Sequence, residues 1–154
     1  MTTLDRAGIE ALIPHRDPFL LIDRVTELEP GVRAVAEHTF TGEEWYLKGH
    51  FPGNPIVPGV ILVESLAQAA TVMAMALPEY REGLGLFAGI DEMRFKRIVR
   101  PGETARYEAV IDRMRRGYAR VNVRAFVGEE LAAEGVIQAI FQPRAASAGK
   151  ATST

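Results

Sequence analysis

The chain has 154 residues and no cysteine, which excludes disulfides, thiolate metal sites and cysteine nucleophiles. With only three histidines, imidazole acid/base chemistry has a short list of candidates: His15, His38 and His50. No two of them stand at ligand-like spacing, so no metal is expected. Long unbroken apolar runs are also missing. The most hydrophobic stretch, Val60 to Leu77, is interrupted by Glu64 and Gln68 and meets Pro78, which reads as a buried helix rather than a membrane span. The first residues lack the basic start and apolar centre of a secretory signal, and a cytoplasmic protein is expected.

There is little net charge, −2 at neutral pH, and the composition is 47% hydrophobic and 25% charged. That suits one globular domain over residues 1–144. The segment 145–154, AASAGKATST, is too rich in small and polar residues to bury apolar surface and reads as a disordered tail. Charge is nevertheless uneven. Residues 93–124 hold ten Lys or Arg against three Asp or Glu, a pattern of either a solvated sheet face or a docking surface for an acidic partner.

What is present is patterned. Residues 3–12 read as a short amphipathic helix capped by Thr2 or Thr3. Strand character follows at Leu20–Glu27 and at Val32–Phe40, where Val32, Ala34, Ala36 and His38 alternate with Arg33, Val35, Glu37 and Thr39. A loop dense in glycine and proline, GHFPGNPIVPG, fixes its own backbone and leads into the helix from Val60 to about Leu77, apolar nearly all round and therefore enclosed. Four strands are expected after it, at Leu86–Lys96, Thr104–Met114, Tyr118–Val127 and Leu131–Gln142. The whole is an α+β domain in which a curved antiparallel sheet wraps one helix.

Three kinds of group could carry chemistry. His38 lies in a strand and reads as structural or solvated, and His15, in PHRDPFLLIDRV, reads as structural ahead of functional. His50 stands in a loop built to be rigid. Glu64 is a carboxylate at the start of an apolar helix, a rare placement unless the group is paired or functional, and Gln68 lies one turn on, able to hydrogen-bond it. Free N–H groups near Gly59 and Val60, with the helix dipole behind them, would suit a carbonyl oxygen gathering negative charge. A base, an acid and an oxyanion site together suit removal of a proton beside a carbonyl with loss of a β-hydroxyl.

The segment GHFPGNPIVPGVILVESLAQ resembles the signature of the 3-hydroxyacyl-acyl-carrier-protein dehydratases of bacterial fatty acid synthesis. LIPHRDPFLLIDRV before it and FAGIDEMRFKRIVRPGE after it resemble the same family, so the likeness runs from about residue 10 to residue 142. It implies the hot-dog fold and elimination of water from a (3R)-3-hydroxyacyl thioester to the trans-2-enoyl product, with no cofactor beyond the phosphopantetheine arm that brings the substrate. By motif position the resemblance makes His50 the base, Glu64 the acid, Gly59 the amide that polarises the thioester and Gln68 the residue that positions the acid. It implies a site shared between protomers, a homodimer and a trimer of dimers. The related dehydratase that also isomerises the double bond usually has aspartate in place of Glu64, so glutamate argues for dehydration alone; a hot-dog thioesterase is the other alternative. GEEWYLKGH departs from the usual family sequence and puts Trp45 and Tyr46 near the expected tunnel entrance. Arg94, Lys96, Arg97 and Arg100, with Arg115 and Arg116, are expected to dock acidic carrier protein rather than nucleic acid.

Overall fold

A helix that is apolar on almost every side needs a wall on almost every side, and the sheet supplies it. In the computed structural model, which describes residues 2–144, the elements are α1 (Arg6–Leu12), β1 (Arg24–Glu29), β2 (Arg33–Thr39), α2 (Gly59–Met75), a 3-10 turn (Pro78–Tyr80), β3 (Leu84–Phe95), β4 (Thr104–Arg115), β5 (Tyr118–Val127) and β6 (Glu130–Gln142). The six strands form one sheet in the order β1-β2-β4-β5-β6-β3, antiparallel at every pairing. This is the α+β hot-dog architecture: a six-stranded antiparallel sheet around the long helix α2. The expected tail, 145–154, lies outside the described residues.

Thirteen of the seventeen α2 residues are buried. The sheet admits them because its inner face is built from small side chains: Ala34, Ala36, Ala105, Ala109, Ala119 and Ala125 are all fully buried. Small residues let the helix backbone approach the sheet, while Leu66, Met73 and Met75 of the helix fill the volume that remains. β5 alternates as its sequence predicts, with Ala119, Val121, Val123 and Ala125 inward and Tyr118, Asn122 and Arg124 less covered. The turn between β1 and β2 depends on Gly31, whose positive φ of 72° is open to glycine. Its N–H donates to the Met73 carbonyl and ties the turn to the end of α2.

Element ends differ from the sequence reading by a residue or two in most places, and three differences have a clear physical cause. The cap of α1 is Asp5, whose carboxylate accepts from the Gly8 N–H at 2.8 Å, rather than Thr2 or Thr3. A bridge between Leu4 and Val25 fixes the preceding residues in extended form, and the helix starts at Arg6 instead of residue 3. The first strand begins at Arg24, because Leu20, Leu21 and Ile22 are buried as a loop whose backbone pairs with a side chain of α2. In β2, Ala34, Val35 and Ala36 are all buried and Val32 lies outside the strand at 42% exposure, so the simple inside–outside alternation fails there.

Two surfaces of this unit remain open. The strand β3 is an edge of the sheet, and its Leu84, Leu86, Phe87, Ile90 and Phe95 are large apolar residues left exposed. On α2, Val60 is 73% exposed, and the same helical stripe continues through the half-buried Glu64 and Ala67.

Candidate active site

His50 is placed by a chain of backbone contacts. Its carbonyl accepts from the Ile56 N–H at 2.8 Å, Phe51 and Asn54 exchange a reciprocal pair of hydrogen bonds, and the Val57 N–H donates to the Val99 carbonyl at 2.9 Å. The loop is thus closed on itself and moored to the turn after β3. The imidazole Nδ1 lies 2.8 Å from the Ile56 carbonyl. A carbonyl can only accept, so Nδ1 carries the proton and Nε2 presents its lone pair. The ring also stacks on Phe51, with centroids 4.2 Å apart. The result is an oriented imidazole with a free basic nitrogen.

Glu64 is held from the opposite direction. Gln68 is fully buried, and every hydrogen-bonding group on its amide has a partner. Its Oε1 accepts from the Leu21 N–H at 2.8 Å, while its Nε2 donates to the Phe19 carbonyl at 2.8 Å and to Glu64 Oε1 at 3.1 Å. The Leu21 N–H decides which end of the amide is oxygen, so the NH₂ group necessarily faces Glu64. The other buried hydroxyls of α2 do nothing comparable: Ser65 and Thr71 donate to the carbonyls of Ile61 and Ala67 in their own helix. Oε1 of Glu64 is therefore anchored and Oε2 is left for chemistry.

His15 is the residue that sequence reasoning undervalued. Its Nε2 lies 3.7 Å from Glu64 Oε1, too far for a hydrogen bond, and its Nδ1 is buried with no partner. Burial lowers the pKa of His15 below its ordinary value; Glu64 acts to raise it and Arg16 to lower it. Its burial thus favours the neutral ring beside the Glu64 carboxyl group. The signal was available in PHRDPFLLIDRV, but nothing in that segment shows that it meets a helix some fifty residues later.

His15 and Glu64 line a cavity of about 50 Å³ with Ala67, Thr71 and the β3 residues Gly85, Leu86 and Phe87. His50 is not among its lining residues, and it makes no hydrogen bond to Glu64 among the described residues. Within one chain the structure brings Glu64, Gln68 and His15 together and leaves His50 apart. The cavity wall belongs to the open edge strand.

The N–H groups of Gly59 and Val60 precede the internal ladder of α2, whose first bonds run from the Ile61 and Leu62 N–H groups to the Pro58 carbonyl. No side chain caps that end. A Cβ at Gly59 would fall 2.9 Å from the Phe95 ring, so a side chain there would have to displace the exposed Phe95 of the edge strand. In the basic stretch, Arg97 bonds Glu103 at 2.6 and 3.0 Å and Glu130 at 3.2 Å, and Arg100 reaches Asn54 at 3.2 Å. Arg94 and Lys96 are exposed and, among the described residues, have no ion pair within 4.0 Å.

A second cluster escaped the sequence reading. His38 lies between Asp23 and Glu44, with Nδ1 2.7 Å from the first and Nε2 2.9 Å from the second. Trp45, next in the chain, stacks on Phe19 and donates its indole N–H to the Pro18 carbonyl at 3.1 Å. The expectation that His38 is structural or solvated resolves to the first.

The family profile described as FabA-like domain matches residues 13–136. The chain is 59% identical over 126 residues to the 3-hydroxyacyl-[acyl-carrier-protein] dehydratase FabZ of Chloroflexus aggregans, covering 82% of this chain and 88% of that one. It is 50% identical over 144 residues to the protein of the same name from Thermomicrobium roseum, covering 93% and 97%. Among solved structures, the dehydratase heterocomplex ApeI:P from Xenorhabdus doucetiae superposes with a TM-score of 0.76 at 14% identity, covering 88% of this chain and 91% of its own. Cj0977 of Campylobacter jejuni does so with a TM-score of 0.68 at 16% identity, covering 88% and 89%.

Proposed function

Because the chain belongs to the FabZ family of 3-hydroxyacyl-[acyl-carrier-protein] dehydratases, we propose that His50 and Glu64 carry out its removal of water from 3-hydroxyacyl-acyl-carrier-protein in fatty acid biosynthesis. The substrate is the (3R) isomer and the product the trans-2-enoyl thioester. The observation that carries the assignment is the fixed tautomer of His50: Nδ1–H is consumed by the Ile56 carbonyl, so Nε2 is the base that takes the C2 proton. The N–H of Gly59, with that of Val60 beside it, donates to the thioester oxygen as negative charge develops there. Glu64, oriented by Gln68, gives its proton to the departing hydroxyl through Oε2. The C2 proton ends on His50 and the hydroxyl leaves as water, so no redox group or metal is called on. Glutamate rather than aspartate at position 64 favours dehydration without isomerisation.

The site is shared between two copies of the chain. Glu64 sits on the stripe of α2 that its own sheet leaves open, beside a cavity walled by the exposed β3 edge. An unpaired edge carrying five exposed apolar side chains is a surface that a stable protein covers. A second copy related by a two-fold axis covers it and brings its own His50 to this Glu64. Further assembly into a trimer of dimers follows the family resemblance, as does a cytoplasmic location; no helix among the described residues is long and apolar enough to cross a membrane. Acidic carrier protein docks on Arg94, Lys96 and Arg100. Arg97, already bonded to Glu103 and Glu130, ties the loop after β3 to the start of β6.

A mass-spectrometric assay over a ladder of 3-hydroxyacyl carrier-protein substrates tests this reading. Loss of 18 mass units from the acyl chain, abolished in His50→Ala and Glu64→Gln, is the expected result. Release of free thiol without dehydration would instead identify a thioesterase.

A further inference from the structure

We propose that His38 is a positioning residue for this reaction: as an imidazolium clasped between Asp23 and Glu44, it holds the segment that delivers His50, and activity falls when the ring is neutralised. This rests on the reading of His50 as the base.

The geometry demands the cation. Asp23 Oδ1 lies 2.7 Å from Nδ1 and Glu44 Oε2 lies 2.9 Å from Nε2, and a neutral imidazole has one N–H to offer. Both acids are committed as carboxylates by other donors. Asp23 Oδ2 accepts from the Thr39 N–H at 2.9 Å, and Glu44 accepts from the N–H groups of Thr41 at 3.0 Å and Gly42 at 2.9 Å. The His38 side chain is 14% exposed, and its ring packs perpendicular to that of Phe40 with centroids 4.5 Å apart. Deprotonation would turn a ring lone pair toward a carboxylate across less than 3 Å of poorly hydrated space, and one arm of the clasp would open.

The remaining charges nearby do not replace the ring. Arg6 is 4.0 Å from Asp23 Oδ1, Arg24 acts on Asp23 from further off while bonded to Glu37, and the buried Tyr46 and Tyr107 feel both carboxylates. None touches Glu44. Burial works to lower the pKa of His38, but its hydrogen bonds and charge attraction to Asp23 and Glu44 together raise it above the ordinary histidine value. The pKa values of Asp23 and Glu44 are lowered: burial opposes this, and their hydrogen bonds, including those with His38, outweigh it. The clasp is therefore closed between the depressed carboxylate values and the elevated histidine value, and it opens on the alkaline side.

Opening it reaches the base by a short path. The Glu44 carbonyl accepts from the Leu47 N–H at 3.1 Å, and the Leu47 carbonyl accepts from the His50 N–H at 3.1 Å. Two successive backbone bonds thus join the clasp to His50. Between them stands Trp45, the single tryptophan of the chain, moored to the Pro18 carbonyl. Its emission reports the position of this segment without reference to activity.

The test measures Trp45 emission and kcat/KM from about pH 6 to 9, a range spanning the ordinary histidine pKa, with circular dichroism to follow the fold. Wild type should show one emission transition, coincident with a fall in kcat/KM carried by kcat and not by KM. His38→Gln should have the high-pH emission throughout and a kcat reduced roughly tenfold or more, as displacement of a reacting group produces. His38→Lys, a cation across the range, should lack the transition and keep more activity at high pH than His38→Gln. A wild-type emission that does not change with pH while the fold is intact would overturn the proposal without needing any variant. So would emission and kcat in His38→Gln equal to wild type. An active His50→Ala variant together with a normal Trp45 transition would instead overturn the assignment of the base and leave the clasp standing.

Discussion

The proposed acid and the proposed base are supported by opposite means. Glu64 depends on Gln68, a neutral amide that is fully buried and saturated by the backbone of residues 19–21. His50 depends on a loop whose upstream end is held by the ionised set Asp23, His38 and Glu44. The neutral support is rigid over a wide pH range, because nothing in it titrates. The ionic one is strong only while its charges persist. In the proposed shared site this difference has a simple reading: each half would have to be ordered in its own protomer before the halves meet, and either kind of scaffold can do that.

The comparison breaks most completely if the two halves do not come from different chains. His50→Ala and Glu64→Gln alone should each lose about 10² to 10⁴-fold in kcat, the usual loss for a positioned acid or base. In a mixed dimer of the two, one site carries both lesions and the other keeps an intact pair, so subunit exchange should restore activity. Verified mixed dimers as inactive as their parents would refute the shared site even if both residues proved essential.

A smaller effect should follow from removing the neutral support itself. Gln68→Leu keeps the volume but leaves the Leu21 N–H and the Phe19 carbonyl without partners. The Leu21 bond is buried and an orphaned buried group costs about 1–3 kcal/mol, so urea unfolding should show a loss of about that size. Glu64 would also lose its anchor, and kcat should fall more than KM rises. Equal kcat in Gln68→Leu would mean that the helix alone orients Glu64.

Much of this arrangement was legible in the sequence, for physical reasons. An all-round apolar helix and a strand alternating as Ala119–Arg124 does each have a single stable placement, and the GHFPGNPIVPG loop declares its rigidity through proline. The motif resemblance supplied His50, Glu64, Gly59 and Gln68 as a set. The contacts of His15 and His38 were not legible, because His15 faces Glu64 on a distant helix, His38 bonds two carboxylates outside its strand, and neither lies in a periodic pattern that points to them. The same is true of the 19–21 segment: its apolar run reads as strand, yet its partner is a glutamine side chain and not a neighbouring strand.

The two histidines sharpen the comparison through stability, and the signs are opposite. Burial lowers the pKa of His15 in the folded chain, so as pH falls through the ordinary value of about 6.5 the unfolded chain takes up a proton first and the fold is weakened. His38 has a raised pKa in the fold. Its contribution is complete below that ordinary value and is lost as pH rises through the folded one. His15→Gln should therefore raise Tm relative to wild type more in acid than in alkali. His38→Gln should lower it more in acid. Thermal melts of the two variants that moved in parallel with pH would contradict the assignment of one ring as neutral and the other as charged.

The smallest effect is expected where charge belongs to neither support. Arg94 and Lys96 are exposed and, among the described residues, have no ion pair within 4.0 Å, whereas Arg97 is bonded to Glu103 and Glu130 and Arg100 touches the His50 loop through Asn54. Reversing Arg94 and Lys96 to Glu should raise KM for a carrier-linked substrate several-fold, the scale of rim charges that steer association, and should leave KM for a carrier-free thioester unchanged. Attraction between exposed charges is screened beyond about 8–10 Å at ordinary salt, so the difference between wild type and the double variant should shrink as ionic strength rises. Arg97→Glu should behave differently, lowering stability by setting three carboxylates together. Arg100→Glu should alter kcat as well as KM, because its partner lies in the loop that holds the base. If Arg94 and Lys96 reversal leaves carrier kinetics untouched at low salt, the carrier docks on another face, and the basic stretch from 93 to 124 is a solvated sheet surface.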